Sequence, residues 1–156
     1  MKITYDSWQE QYKKPFGAVK AGNTVKWLIK IDQVIQGAVL WLTKSREKPV
    51  AYPMNYDEQT KMYTTQVKIG TFGLYNYYFA LQQNNQIVYI DQGLFGKGHI
   101  TKSDHDLRQF QLTCYDIATP RIDWYQKGIV YQIFPDRFAN GNLHEEVIGK
   151  KRNSFI

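Results

Sequence analysis

The sequence predicts an all-β fold, an antiparallel β-sandwich, and three observations support this class. Runs in which apolar and polar residues alternate recur along the chain at a spacing of roughly 8 to 12 residues, which is typical of an immunoglobulin-like sandwich. Aromatic residues make up 15% of the chain, and aromatic rings favour strands. No segment of comparable length has helical periodicity. The 156 residues are enough for one compact domain and a tail.

The first two predicted strands differ in how well their buried face is defined. Residues 24 to 31 alternate, with Val25, Trp27, Ile29 and Ile31 on one face and Lys26 and Lys30 on the other. Residues 37 to 43 are also β-prone, but their leucines alternate with Val39 and Trp41, so either set suits the core. The second strand is therefore predicted with its register open.

Four further strands follow the same alternation. The polar segment 55 to 61 predicts a turn. The strands after it are expected at residues 62–69, 74–81, 86–90 and 109–115. The last of these places Cys114, the sole cysteine, on the inward face, so we expect a buried structural thiol and no internal disulfide.

The pattern changes beyond residue 116. Residues 128 to 134 form a nearly continuous apolar run, as in a parallel strand covered on both faces. The residues that follow are too few to build the helices that would cover it. We therefore predict a sandwich domain over 1–116, a linker over 117–127 and, over 128–156, the start of a further unit whose remainder is missing.

Residues 119 to 141, TPRIDWYQKGIVYQIFPDRFANG, carry a recognisable motif. This segment resembles the start of the catalytic barrel in family-13 glycoside hydrolases, most closely the neopullulanase, cyclomaltodextrinase and maltogenic amylase group. The resemblance implies that residues 128–156 are the truncated start of a (β/α)8 barrel. These enzymes carry an N-terminal β-sandwich, classed as a starch-associated carbohydrate-binding module. Residues 16–22 and 73–79 resemble short sequence segments that recur in this module. The resemblance implies a parent enzyme that hydrolyses α-1,4 and α-1,6 glucans.

The resemblance also implies that this chain is not itself an enzyme. Glycoside hydrolysis needs two carboxylates that flank the scissile bond, and family-13 enzymes supply theirs from later barrel strands, so the catalytic carboxylates are expected to be absent here. The barrel-start motif places Asp136 and Arg137 at the C-terminal end of the first barrel strand, where such barrels carry their active sites, and Tyr131 and Gln132 within that strand. We expect structural roles for them: Tyr131, Gln132, Asp136 and Arg137.

The loop after this motif often binds calcium in related enzymes. The resemblance makes Asn140 and Asn142 the candidate ligands. Calcium prefers about six to eight oxygen ligands, some of them charged, and two amides do not fill that shell. An ordinary polar turn is therefore the alternative. We expect no cofactor in the chain itself, with calcium left to the parent enzyme.

Two hypotheses remain for the sandwich. A carbohydrate-binding module would bind starch, maltooligosaccharide or cyclodextrin on exposed aromatic rings, for which Trp8, Trp41 and Tyr78 are the candidates. Alternatively, the same rings pack in the core or at protein interfaces. The domain would then dock on its own catalytic barrel and, as the family resemblance implies, help to form a homodimer that covers a neighbour's active site.

Charge and hydropathy exclude two other classes of partner. The formal net charge is +6, but the basic residues are scattered, whereas nucleic-acid binding needs a continuous basic stripe. No run approaches the roughly 20 apolar residues that span a bilayer, and the N-terminus lacks a signal peptide. We therefore expect no nucleic-acid partner, no membrane association and a cytoplasmic location.

Overall fold

The structure is a computed structural model that describes residues 1–33, 35–117 and 123–134. The chain divides into two compact units, Met1–Ala118 and Thr119–Ile156. Within the described residues of the first unit there are eleven strands and one short 3-10 helix at Leu94–Gly96. The strands are β1 (Ile3–Thr4), β2 (Lys13–Lys14), β3 (Val19–Lys20), β4 (Thr24–Ile31), β5 (Gly37–Lys44), β6 (Val50–Asp57), β7 (Met62–Lys68), β8 (Gly73–Gln83), β9 (Gln86–Gln92), β10 (Gly98–Thr101) and β11 (Phe110–Tyr115).

The strands form two layers that share β6. The first part of β6 pairs with β5, and residues 55 to 57 pair with β7. One layer therefore runs β1–β4–β7–β6, with β2 on β4, and the other runs β6–β5–β8. The far side of β8 is divided, because β9 pairs with its C-terminal half and β11 with its N-terminal half. The all-β prediction is confirmed, with one parallel pair, β3 with β11, among antiparallel ones.

The core lies between the inward faces of the two layers. Trp27 on β4 packs edge-on against Tyr77 on β8, with ring centroids 5.6 Å apart, and both side chains are fully buried. Alternation along β8 buries every second residue from Tyr75 to Leu81, as the sequence predicts. The inward position of Cys114 on β11 is confirmed as well. Large aromatic rings therefore supply much of the buried apolar area that stabilises the sandwich.

The structure settles the register of β5. Leu40 and Leu42 are buried in the core, so Val39 and Trp41 lie on the outer face of the second layer. Sequence alternation alone could not choose between the two sets, because both faces of this strand are apolar. The outcome puts an indole ring where most sandwich strands expose polar groups.

The predicted turn at 55 to 61 is shorter than expected. Strand β6 continues to Asp57, and the Asp57 carboxylate then accepts a hydrogen bond from the backbone N–H of Gln59 at 2.9 Å. This hydrogen bond stabilises the charged carboxylate and lowers its pKa. The polar residues at the start of the predicted turn thus extend the strand, and the turn itself is built on one aspartate.

Asp91 organises the loop between β9 and β11. Its side chain is buried, and one carboxylate oxygen lies 2.8 Å from Nδ1 of His99. The other oxygen accepts a hydrogen bond from the backbone N–H of Arg108 at 3.2 Å. Because the carboxylate contacts both β10 and the segment before β11, it fixes the chain between them. No local sequence pattern predicts this contact, because Asp91 and His99 lie on different strands.

In the second unit, the structure describes residues 123 to 134. They contain a short helix, α1, at Asp123–Lys127, inside the predicted linker. Residues 128 to 134 form no strand and are exposed, including Ile129, Tyr131 and Gln132. This differs from the predicted strand. A strand needs a neighbour for its backbone hydrogen bonds, and the described part of this unit contains no other strand to pair with.

Candidate functional site

Three aromatic side chains share the outer face of the second layer, and we call them the aromatic platform: Trp41, Tyr78 and Tyr89. Trp41 on β5 lies directly opposite Tyr78 on β8. Their rings are nearly parallel, with centroids 6.3 Å apart and an interplanar angle of 12°. Tyr89 on β9 packs at an angle against Tyr78, with centroids 6.1 Å apart. The platform is held by three neighbouring strands, so its rings are fixed by the sheet rather than by a loop.

The platform carries hydrogen-bonding groups as well as ring faces. The Tyr78 hydroxyl makes no hydrogen bond to any described residue. Partial burial, then the Tyr89 phenol and the Asp104 carboxylate, raise the pKa of Tyr78, so its hydroxyl stays protonated. Asn76 is two residues before Tyr78 on β8, so it lies on the same face of the sheet. It is directly opposite Gln111 on β11. A ligand with an apolar ring face and several hydroxyls fits this combination.

Trp8, the third predicted candidate, lies elsewhere on the first unit. Its ring is 59% exposed and meets Phe95 edge-on, with centroids 6.4 Å apart. Gly96 supports this position: its φ is +75°, and a Cβ there would come within 2.8 Å of the Trp8 indole. The structure thus brings Trp41 and Tyr78 together and places Trp8 apart from them.

Trp8 borders a groove of about 360 Å3 that lies beside Gln111 and Thr113 of β11. We call this the edge groove. Its principal lining side chains are Trp8, Lys13, Phe16, Gln92, Gln111 and Thr113. Trp8 and Phe16 are both more than half exposed, while the amides and the threonine hydroxyl make no side-chain hydrogen bond to any described residue. The volume lies within the range of small-molecule sites.

Lys13 is the unusual member of the edge groove. The residue is only 4% exposed, and its ammonium donates one hydrogen bond, to the carbonyl oxygen of Gly17 at 3.2 Å. Burial lowers the pKa of Lys13, because the charged form loses hydration. An ammonium has three donors, so two of them find no acceptor among the described residues. An oxygen-rich ligand in the groove would supply those acceptors.

Of the residues predicted from the barrel motif, Tyr131 and Gln132 are described and exposed. Asp136, Arg137, Asn140 and Asn142 lie outside the described residues. Among the described residues, no group of three or more histidine, cysteine, aspartate or glutamate side chains is arranged to hold a metal ion.

Sequence reasoning missed Tyr89, Lys13 and Gln111. Tyr89 lies in a predicted strand, and pairing that strand with β8 in a hairpin would have placed Tyr89 beside Tyr78. Lys13 and Gln111 gave no local signal, because a lysine or glutamine in a β-prone segment ordinarily faces water. Only the tertiary pairing shows that they line one groove.

Fold and site together define a β-sandwich domain with an aromatic outer face. In sequence, the chain is 29% identical over 163 aligned positions to an amylopullulanase from Thermoanaerobacter thermohydrosulfuricus, covering 98% of this chain and 11% of that protein. An amylopullulanase from Thermoanaerobacterium saccharolyticum is 27% identical over 167 positions, covering 92% of this chain and 12% of that protein. No family model matches the chain.

A solved cyclomaltodextrinase structure shares the fold, with a TM-score of 0.52 and 20% sequence identity, covering 94% of this chain and 25% of that one. The predicted resemblance is confirmed: the chain is similar in sequence to part of these amylopullulanases and in fold to part of the cyclomaltodextrinase. It spans about a tenth of the length of the curated relatives it matches. Across the described residues, no helix has the length and apolar character needed to cross a membrane.

Proposed function

We propose that this chain is the N-terminal accessory region of an enzyme that hydrolyses α-glucans, and that its sandwich binds such a glucan on the aromatic platform. The stacked pair of Trp41 and Tyr78 on the outer face is the observation that carries the proposal. The C–H face of a glucose ring packs on an aromatic ring, and its hydroxyls bind nearby amides and phenols. The relatives, amylopullulanases and a cyclomaltodextrinase, support the choice of α-glucan.

The rest of the parent's chemistry is proposed on the same basis. The catalytic carboxylates would come from barrel strands outside this chain, so the sandwich would hold substrate rather than cleave it. Calcium, if the parent enzyme binds it, would involve the loop that contains Asn140 and Asn142. Neither proposal changes what the platform does, because a stacked aromatic pair binds a sugar ring without a metal or a proton donor.

Titration of the chain with maltotriose tests the platform. We expect saturable binding that quenches or shifts tryptophan fluorescence, and we expect Trp41→Ala to weaken it by roughly tenfold or more, about 1.4 kcal/mol. Tyr78→Phe keeps the ring and should have a smaller effect. Tyr56→Ala is the matched control, since Tyr56 is an exposed aromatic that packs on Tyr63 of the first layer.

Thermal unfolding of each variant would show whether it still folds. Unchanged affinity in a folded Trp41→Ala variant would refute the platform as the binding site. Equal losses in Trp41→Ala and Tyr56→Ala would mean that the effect is not specific to the platform.

Docking on another protein surface is a second candidate, and it rests on a different observation. Leu94 and Phe95 are adjacent apolar residues, 76% and 72% exposed, in the 3-10 turn beside Trp8. Apolar side chains this exposed mark interaction surfaces when they are contiguous. The parent's catalytic barrel or a second copy of the chain would cover them, which corresponds to the docking and homodimer hypotheses.

A further inference from the structure

The edge groove and the aromatic platform lie on one continuous surface. Gln111 lines the groove and is directly opposite Asn76, so the two side chains share a face. Asn76 lies two residues from Tyr78 on β8, again on that face. A path from Trp41 therefore runs over Tyr78, past Asn76 and Gln111, and into the groove.

The length of this path suits a chain rather than a single sugar. It crosses two strand spacings of about 4.8 Å and two residues along β8, roughly 7 Å, so Trp41 and Gln111 are roughly 12 Å apart in the backbone. Trp8 and Phe16 lie beyond Gln111, at the groove. The path begins and ends on aromatic rings and carries amides between them.

Lys13 provides an independent reason to expect a ligand in the groove. The residue is only 4% exposed, and its ammonium has a single acceptor among the described residues, the Gly17 carbonyl. Buried charged groups ordinarily have their hydrogen bonds satisfied, because the loss of hydration costs free energy. The hydroxyl and ring oxygens of a carbohydrate are neutral acceptors that would complete its coordination.

We infer that the edge groove is the far end of an α-glucan track, which starts on the aromatic platform and crosses the sheet at Asn76 and Gln111. The inference rests on the proposed function and extends it. The platform alone would hold a short oligosaccharide. The track makes binding depend on chain length, with Trp8 and Phe16 stacking on glucose units that a short ligand does not reach.

Calorimetric titration of the chain with maltotriose and with maltoheptaose tests this. We expect maltoheptaose to bind about tenfold more tightly than maltotriose, and Trp8→Ala and Gln111→Ala each to reduce that ratio to about threefold or less. Trp8→Ala should leave the affinity for maltotriose within about twofold of wild type, because Trp8 lies apart from the platform. Gln111→Ala removes only an exposed amide and should not disturb the fold. It therefore still tests the track if Trp8→Ala disturbs the segment around Phe95. Tyr56→Ala again serves as the control.

The outcomes separate the two proposals. If maltoheptaose binding falls in Trp41→Ala but is unchanged in both groove variants, the track is wrong and the platform stands. Equal affinities for the two sugars would also overturn the track. Absence of binding by either sugar would overturn the track and the platform together.

Discussion

Two tyrosine hydroxyls meet inside the core, and their hydrogen bond can be tested by substitution. Tyr5 and Tyr77 are buried, with their hydroxyl oxygens 2.8 Å apart. Tyr77→Phe leaves the Tyr5 hydroxyl buried beside an apolar ring, which should lower the free energy of unfolding by about 1 to 3 kcal/mol. Replacing both by phenylalanine removes both polar groups. We therefore expect the double variant to lose less stability than the sum of the single variants, by at least about 1 kcal/mol.

The same pair makes stability depend on alkaline pH. Burial raises the pKa of Tyr77 to about 12 from its ordinary value of 10.0, and burial raises that of Tyr5 as well. Below pH 10 both tyrosines are protonated in the folded and unfolded chain, so the full stability is present. Above it the unfolded chain releases these protons while the folded chain retains them. Stability should then fall by about 1.4 kcal/mol per pH unit for each tyrosine until the folded pKa is reached.

Urea unfolding followed by circular dichroism measures both effects. The difference in stability between wild type and Tyr77→Phe should shrink between about pH 9 and about pH 11, because the variant lacks one of the two titrating groups. Comparing the two proteins removes the contribution of other tyrosines and lysines. Strict additivity in the double variant, or parallel pH dependence in the two proteins, would refute the reasoning.

Two further predictions concern the region around Trp8. Gly96→Ala should destabilise the chain by more than Gly17→Ala. Both glycines have a φ near +75°, a backbone conformation that costs an alanine about 1 to 2 kcal/mol. Only at Gly96 would the added Cβ also collide with a side chain, 2.8 Å from the Trp8 indole. Equal losses, measured by urea unfolding, would mean that Trp8 moves freely. If Leu94 contacts a second copy of the chain, sedimentation should show a concentration-dependent dimer that Leu94→Ser abolishes. Ile87→Ser changes another exposed apolar residue and should leave the dimer intact. A wild-type monomer at all concentrations would exclude a second copy as the partner.

The sequence predicted the faces of most strands because one side of each contacts water. In β4 and β8 the alternation of apolar and polar residues identified the buried side chains, and the structure agrees except at Leu28, which is buried on the lysine face of β4. It was ambiguous in β5, where Leu40 and Leu42 compete with Val39 and Trp41. The ambiguity has a physical cause. The outer face of β5 carries the platform, so the contrast that normally distinguishes the two faces is missing there.

The edge groove could not be predicted, because its residues come from distant parts of the chain. Trp8 and Phe16 belong to the N-terminal segment, whereas Gln111 lies on β11. Their proximity depends on the pairing of β3 with β11, which no local pattern specifies. The predicted strand at 128 to 134 illustrates a different limit. An apolar run indicates a preference for burial, but a strand forms only where another strand accepts its hydrogen bonds.

Strand β6 has a consequence for how the molecule responds to stress. A sandwich made of two separate sheets can lose one sheet while the other persists, since only side-chain packing joins them. Here the single strand β6 is hydrogen-bonded into both sheets, so unfolding of one sheet disrupts a strand that the other sheet also needs. The two sheets should therefore unfold as one cooperative unit. The platform on β5 and β8 then stays ordered until the whole domain unfolds.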